Sequence, residues 1–411
     1  MASVCVSIHA ALDPRVAGGV QTNIVSLVAS LSAMGEQIRP VLLAPDSVTE
    51  AWRDHTAGSR TSVVRWRHVF PWYRTGAPPS LRERLGAAVQ RLRQRPMVQR
   101  DRELRAVGAQ VMHFPHQVAF DTALPSIYEP WDLQHIRLPN LYSDGERAWR
   151  TAMYKRACER AALVVTATAA TKRDLIECFG IPSNKIAVIP RDSAFPHEIA
   201  APERRAAILR DLGITPPFAF YPAMTFAHKN HAKLFEAMAV LRDRHGLSIT
   251  LVCSGRRVAE NWPGIEEAMS RTGVGDQVRF LRYLAHAELA ALLAEAHLLI
   301  FPSLFEGLGL PLLEAMQYGL PIAASAVSCI PEVTGDAAVL FDPFDPEDMA
   351  ASIARVWSDE TLRAELRGRG FERRQAFSWD RAAPTFRAAY RSVAGMSLSP
   401  EDATRLQNAL R

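Results

Sequence analysis

Cysteine is sparse: five residues, at positions 5, 158, 178, 253 and 329, are scattered over 411. None forms a C-x-x-C pair or a zinc-ligand spacing, which argues against a disulfide scaffold or a zinc module. Reduced, semi-buried thiols in a cytosolic protein are the expectation. Lysine is equally sparse. Only Lys155, Lys172, Lys185, Lys229 and Lys233 stand among 48 basic residues, so arginine is the default cation and a lysine kept in a loop carries extra weight. No run of about 18 apolar residues occurs, so no membrane-spanning helix is expected. The opening "MASVCVSIHAALDP" lacks a basic stretch followed by a long apolar one. No signal peptide is therefore expected, and the expected location is cytoplasmic. Internal repeats and low-complexity tracts are also missing.

What is present suits a globular chain of two domains: 48% hydrophobic and 8% aromatic residues, with a net charge of +5. Short apolar runs alternate with amphipathic helical stretches, the pattern of an α/β protein with parallel sheets. "SVCVSIHAA" reads as a first strand, followed by a glycine turn and a helix with Ile24, Leu27, Val28 and Leu31 at helical spacing. "PVLLAP", "AQVMHFP", "ALVVTATA" and "KIAVIP" are further strands. The cycle restarts with "FAFYPAM", "SITLVCSG", "VRFLRYL" and "LPIAAS". The pattern breaks near 195–215. The expected organisation is an N-terminal Rossmann-like domain over 1–195 and a second over 196–379, with a C-terminal helix from about 380–411 completing the first. Ligands in such sheets bind at the carboxyl ends of the strands.

Residues 301–321, "FPSLFEGLGLPLLEAMQYGLP", carry Glu306 and Glu314 eight positions apart. Gly307 and Gly309 permit close backbone approach, and Pro311 suits the first turn of a helix. A helix opened this way offers amides to an anion. Carboxylates repel phosphate, so the two glutamates fit neutral hydroxyls on either side of it: a sugar and a ribose flanking a diphosphate. The competing reading is a helix whose acidic first turn is favoured by its dipole.

Over 299–346 the chain resembles the donor region of retaining GT-B-fold glycosyltransferases marked by E-x7-E, the group 1, family 4-like enzymes. The likeness continues past the glutamates into "GLPIAAS", "PEVTGDAA" and "FDP". It implies two Rossmann-like domains with parallel sheets facing across a cleft. It also implies that Glu306 contacts the transferred sugar, Glu314 the nucleotide ribose, and Gly307, Leu308 and Gly309 the diphosphate. "YPAMTFAHKNHAKLFEAM", residues 221–238, resembles the family's second donor segment, with Lys229 neutralising the leaving diphosphate and His228, Asn230 and Gly255 around the donor. The family often carries an arginine six residues before this lysine; here that position is Ala223, and Arg256 or Arg282 are candidate substitutes. His228 and His231 lie three apart without a third ligand nearby, so no metal and no cofactor beyond the nucleotide-sugar substrate is expected.

In the first half, Gly18 and Gly19 resemble the family's glycine turn near the diphosphate. "IYEPWDLQHIRLPN", residues 127–140, resembles "H-D-L-x-H…P", with Trp131 in place of the first histidine and with Asp132 and His135 retained as expected catalytic-centre residues. The "HKNH" and "DLQH" segments are most similar to enzymes building bacterial surface polysaccharides, which implies GDP-mannose or a similar hexose donor and a glycan or lipid-linked acceptor. Residues 81–105 add a leucine stripe flanked by arginines. Contact with an anionic inner leaflet and a solvated helix packed on the first domain are both open readings; nucleic acid is not an expected partner. Two rival functions stay open: a non-catalytic sugar-nucleotide-binding subunit, motivated by Trp131 and Ala223, and a sugar-nucleotide epimerase on the same fold.

Overall fold

A computed structural model of the chain describes residues 3–15, 19–66, 97–192 and 199–411. The basic segment 81–105 lies outside the described residues except at its end. There the helix Met97–Ala106 buries Leu104 and Arg100, and Asp101 accepts from Thr122 Oγ1 at 2.6 Å and Ala123 N at 2.9 Å. Gly18 also lies outside the described residues. No helix among them is long and apolar enough to cross a membrane.

The chain forms two compact units. The first holds Met1–Ala167, Thr171–Ala194 and Trp379–Arg411; the second holds Thr168–Ala170 and Phe195–Ser378. In the first, β1 (Val4–His9), β2 (Ile38–Ala44), β3 (Ser62–Arg65), β4 (Val111–Phe114), β5 (Ser126–Tyr128), β6 (Leu163–Thr166) and β7 (Ile186–Val188) form one sheet. Its order is β3-β2-β1-β4-β5-β6-β7, and every pairing is parallel. The strands are nearly continuous apolar runs because both faces are covered. Val4, Val6 and Ile8 enter one apolar cluster while Cys5 enters another, as the period of two requires. The helix Trp379–Val393 returns to the first cluster with Phe386, Ala388, Ala389 and Tyr390.

The second unit contains β8 (Ala219–Pro222), β9 (Leu251–Ser254), β10 (Val278–Leu281), β11 (Leu298–Phe301), β12 (Ile322–Ser325) and β13 (Val339–Phe341). These pair, again all parallel, in the order β10-β9-β8-β11-β12-β13. From β8 the chain winds outward to β10, then crosses to the other side of β8 to lay down β11. This reversal is the topological switch point, where the loops leaving the two central strands diverge and leave room for a ligand. Both units are α/β Rossmann-like sheets of the GT-B class.

Candidate donor site in the second unit

The loop leaving β8 ends in a tight turn over Ala227–Lys229. Asn230 follows in the left-handed conformation, φ 60°, and opens the helix His231–His245. An asparagine tolerates that conformation better than most residues, and its Nδ2 is fixed by donation to Pro343 O at 2.8 Å. Tyr221, buried on β8, donates its hydroxyl to Lys229 O at 2.7 Å. The loop leaving β11 is joined to this one by Leu304 N, which donates to His228 O at 2.8 Å.

These constraints bring two sequence-distant charges together. Lys229 Nζ stands 2.5 Å from Glu306 Oε1, with side-chain exposures of 15% and 13%. Glu306 is held from a third loop: its carbonyl accepts from Ser328 Oγ at 2.7 Å and Cys329 Sγ at 3.1 Å, and its N–H donates back to Ser328 Oγ at 3.3 Å. Ser328 has φ 56°, a conformation rarely adopted by serine and retained here where its hydroxyl bridges both backbone groups of Glu306.

Gly309, φ 76°, precedes the helix Leu310–Gln317. A Cβ on it would meet only the tip of Leu312, Cδ1 at 2.9 Å, so it is the positive φ that calls for glycine here. Leu308 is buried and Gly307 half-buried. No acidic residue occupies the first turn of this helix, which removes the dipole reading of Glu314. Glu314 lies a full turn inside, half-buried. Burial, and then the charge of Glu314, raise the pKa of both Tyr283 and Tyr318, so the carboxylate sits near two phenols.

Burial, and then Lys229, hold the His228 imidazole well below its ordinary pKa, and push His231 down to about 3. Both are neutral at pH 7. His231 packs against Tyr221 with its ring tilted by 40°, 5.0 Å between centroids, and neither of its nitrogens has a hydrogen-bond partner; it is an aromatic of the core. Among the described residues, no group of three or more His, Cys, Asp and Glu comes together in a way that could hold a metal. Gly255, φ 134°, lies where a Cβ would be 2.7 Å from Ala223 O, so its backbone packs on the loop leaving β8. Arg282 is paired with Glu288 at 2.7 Å, and Arg256 is exposed.

Lys229, Glu306, His228, Asn230 and the start of the helix at Gly309 therefore share one end of the second sheet. The two models that match the sequence carry descriptions in keeping with it. "Glycosyl transferases group 1" matches residues 205–373, and "Glycosyltransferase Family 4" matches residues 17–191. The chain belongs to the group 1 glycosyltransferases. Among similar curated proteins of this kind, the O-antigen chain mannosyltransferase B of Escherichia coli is 28% identical over 253 residues, covering 61% of this chain and 65% of that protein. The MMP alpha-(1->4)-mannosyltransferase of Mycolicibacterium hassiacum is 30% identical over 242 residues, covering 58% and 56%. The chain thus aligns with somewhat over half the length of these two relatives. Sucrose-phosphate synthase from Thermosynechococcus elongatus superposes with a TM-score of 0.72 at 20% identity, over 96% of this chain and 100% of that one. Anabaena Alr3699/HepE in complex with UDP and glucose does so with a TM-score of 0.70 at 16% identity, over 95% and 100%. Both likenesses establish the GT-B fold of this glycosyltransferase.

The remaining sequence-expected residues belong to the first unit. Gly19 opens the helix Gly19–Ala33 and is exposed. Asp132 Oδ1 accepts from Gln134 N at 3.0 Å, a local bond just before the helix Gln134–Arg137, whose N-cap is Leu133. His135 is 1% exposed and packs edge-on against Tyr154 at 5.0 Å. Burial, and then Arg150, lower its pKa to about 4. Its position is that of a packed core aromatic rather than a surface acid–base group.

A buried polar network in the same unit carries no motif. Glu129 Oε1 lies 2.9 Å from His113 Nε2, its other oxygen pairs with Arg191, and the Tyr390 hydroxyl bonds His113 Nδ1 at 2.8 Å. Burial alone would raise the Glu129 pKa, but Arg191 and His113 outweigh it and hold the carboxyl below its usual range.

Proposed function

We propose that this chain is a retaining hexosyltransferase that moves a sugar, mannose from GDP-mannose being the leading case, from a nucleotide-diphosphate donor to a hydroxyl of a glycan or lipid-linked acceptor in surface polysaccharide assembly. The observation that carries the donor half is the placement of Lys229 and Glu306 at the switch point of the second sheet, beside a glycine-opened helix. The mannosyltransferase names of the curated relatives support the choice of sugar.

In this reading the C1–O bond to the diphosphate breaks, and the negative charge that develops falls to Lys229 and the amides at the start of the helix Leu310–Gln317. Stabilising that charge is the largest catalytic contribution expected of the protein. Glu306 accepts hydroxyl protons of the sugar in hydrogen bonds, and Glu314 does the same for the ribose. The departing diphosphate oxygen takes the proton of the incoming hydroxyl, and the new C1–O bond forms on the face the diphosphate leaves. Charge neutralisation is thereby assigned to the protein's own cation, so transfer should persist in EDTA.

Thermal-shift screening of GDP, UDP and ADP sugars should give stabilisation by one class, because a ligand that binds only the folded state raises stability by mass action. Mass spectrometry of acceptor mannosides incubated with that donor should then show one added hexose. Ala223 in place of the expected arginine favours a second reading, a donor-binding subunit that does not transfer. Stabilisation without release of nucleoside diphosphate would select it. Conversion of the donor with no acceptor present would instead select an epimerase, and no stabilisation by any nucleotide sugar would overturn the assignment.

A further inference from the structure

Trp131 has φ 73°. It follows Pro130 in the irregular segment between β5 and the helix Gln134–Arg137, and L side chains are strained at a positive φ, which favours glycine or asparagine. A bulky aromatic is among the costliest choices at such a place. This backbone would form more easily with glycine, so the indole serves something other than the local conformation.

Two contacts hold the ring rigidly. Its Nε1–H donates to Pro115 O at 2.9 Å, and the Arg191 guanidinium lies over it, 5.4 Å from the ring centroid. Arg191 is itself fixed by its ion pair with Glu129 and is 1% exposed. Although its N–H edge and one face are engaged in this way, Trp131 is only half-buried, so part of the residue stays open to solvent. The residue lies three positions beyond the carboxyl end of β5, the end of a parallel sheet at which ligands bind. Asp132, next in the chain, is also half-buried. A rigid indole surface beside a carboxylate suits one ligand chemistry well: the apolar C–H face of a pyranose stacks on the ring, and its hydroxyls donate to the carboxylate.

We propose that Trp131 is the stacking platform for a pyranose ring of the acceptor glycan, with Asp132 accepting from its hydroxyls. The choice of a mannosyl glycan as ligand rests on the function proposed above; the platform itself rests on the geometry of Trp131.

The test is direct binding of α-mannobiose to the full chain, followed by saturation-transfer NMR without any donor, so that it does not depend on turnover. The wild type and the variants Trp131→Gly, Trp131→Phe and Asp132→Asn are compared, each with its Tm. Trp131→Gly relieves the backbone and should leave Tm within a few degrees of wild type. It should weaken mannobiose binding about tenfold, the factor that about 1.4 kcal/mol of lost contact produces. Trp131→Phe keeps a ring and should stay within about threefold of wild type, and Asp132→Asn should fall between the two. In transfer assays the acceptor KM should rise in Trp131→Gly while the donor KM is unchanged. Unchanged mannobiose affinity in folded Trp131→Gly, or no binding of mannobiose by the wild type, overturns the proposal. A large fall in Tm with unaltered affinity in Trp131→Phe and Trp131→Gly also overturns it, since that is the signature of a purely structural residue. Transfer by a wild type whose acceptor KM ignores Trp131 would sink the platform and leave the proposed function standing. Mannobiose binding through Trp131 without any nucleotide-sugar binding would do the reverse.

Discussion

The Lys229 ammonium and the Glu306 carboxylate lie 2.5 Å apart although 77 positions separate them in the chain. Each is mostly buried, so removing either leaves the other without its partner in a poorly solvated place. Lys229→Ala and Glu306→Ala should each lower kcat by about 100-fold or more, the scale on which one electrostatic contributor to a transition state acts. Each should also cost about 1–3 kcal/mol of stability. Because the two touch, the costs should not add. A double-mutant cycle by urea denaturation should show a coupling of about 0.5–3 kcal/mol, and near-normal turnover in either single variant would remove both from the site.

Ser328 tests whether Glu306 needs its backbone clamp. Ser328→Ala keeps the positive φ and deletes the bridging hydroxyl, so it should cost about 1 kcal/mol. Ser328→Gly deletes the same hydroxyl but relieves the backbone, and should recover part of that stability. Both should lose turnover to a similar extent if the hydroxyl positions Glu306. Turnover that follows stability instead would show that the clamp matters only for folding.

Gly255 stands where an added Cβ would lie 2.7 Å from Ala223 O, at φ 134°. Gly255→Ala therefore combines strain with a backbone clash, and a loss of about 2–4 kcal/mol is expected in denaturant titrations. Part of the site depends on the same packing, because Ala223 begins the loop that carries Lys229. Donor affinity should fall along with stability, and an unchanged midpoint would show that the two loops do not pack this tightly.

Histidines whose pKa burial lowers set the acid limit of the fold, with His116 and His228 held well below the ordinary value. Burial lowers the pKa of His9 to about 4, despite a hydrogen bond to the Val118 backbone that opposes it. His135 also falls to about 4 and His231 to about 3. The unfolded value is near 6.5, so between pH 4 and 6.5 the unfolded chain binds more protons than the folded one, and stability rises with pH across that window. Acidification from pH 7 should leave stability almost unchanged to about pH 6.5 and then remove about 2 kcal/mol per histidine by pH 5. His231→Phe, which keeps a ring packed against Tyr221, should flatten part of that slope. Equal denaturation midpoints at pH 7 and pH 5 would contradict the burial of these rings.

The residues proposed for the donor site stand out in the sequence because their chemistry is local. Glu306, Gly309 and Glu314 share one loop and helix, and Lys229 is one of five lysines in an arginine-rich chain. The alternation of apolar runs likewise foretold two parallel sheets, since strands covered on both faces need no polar residues. Ser328 escaped notice because a serine held by backbone conformation leaves no spacing to read. The network of His113, Glu129, Arg191 and Tyr390 was also missed, as its Tyr390–His113 bond spans 277 positions. One clue was present: Glu129 interrupts an otherwise apolar "IYEPW", and a carboxylate there needs a buried partner. The burial of His135 against Tyr154 was likewise not legible, because a motif histidine and a core histidine look the same until packing is known.

The helix Trp379–Val393 supplies Phe386 and Tyr390 to the first sheet, and Lys172 Nζ donates to Leu410 O at 2.6 Å. A ribosome making this chain therefore delivers the whole of residues 199–378 before it delivers the residues that close the first core. The second sheet can complete itself while the first waits, with part of one face of its strands uncovered, for some thirty later residues. Vectorial synthesis thus runs against the order of the domains, and the sheet begun first is the one finished last.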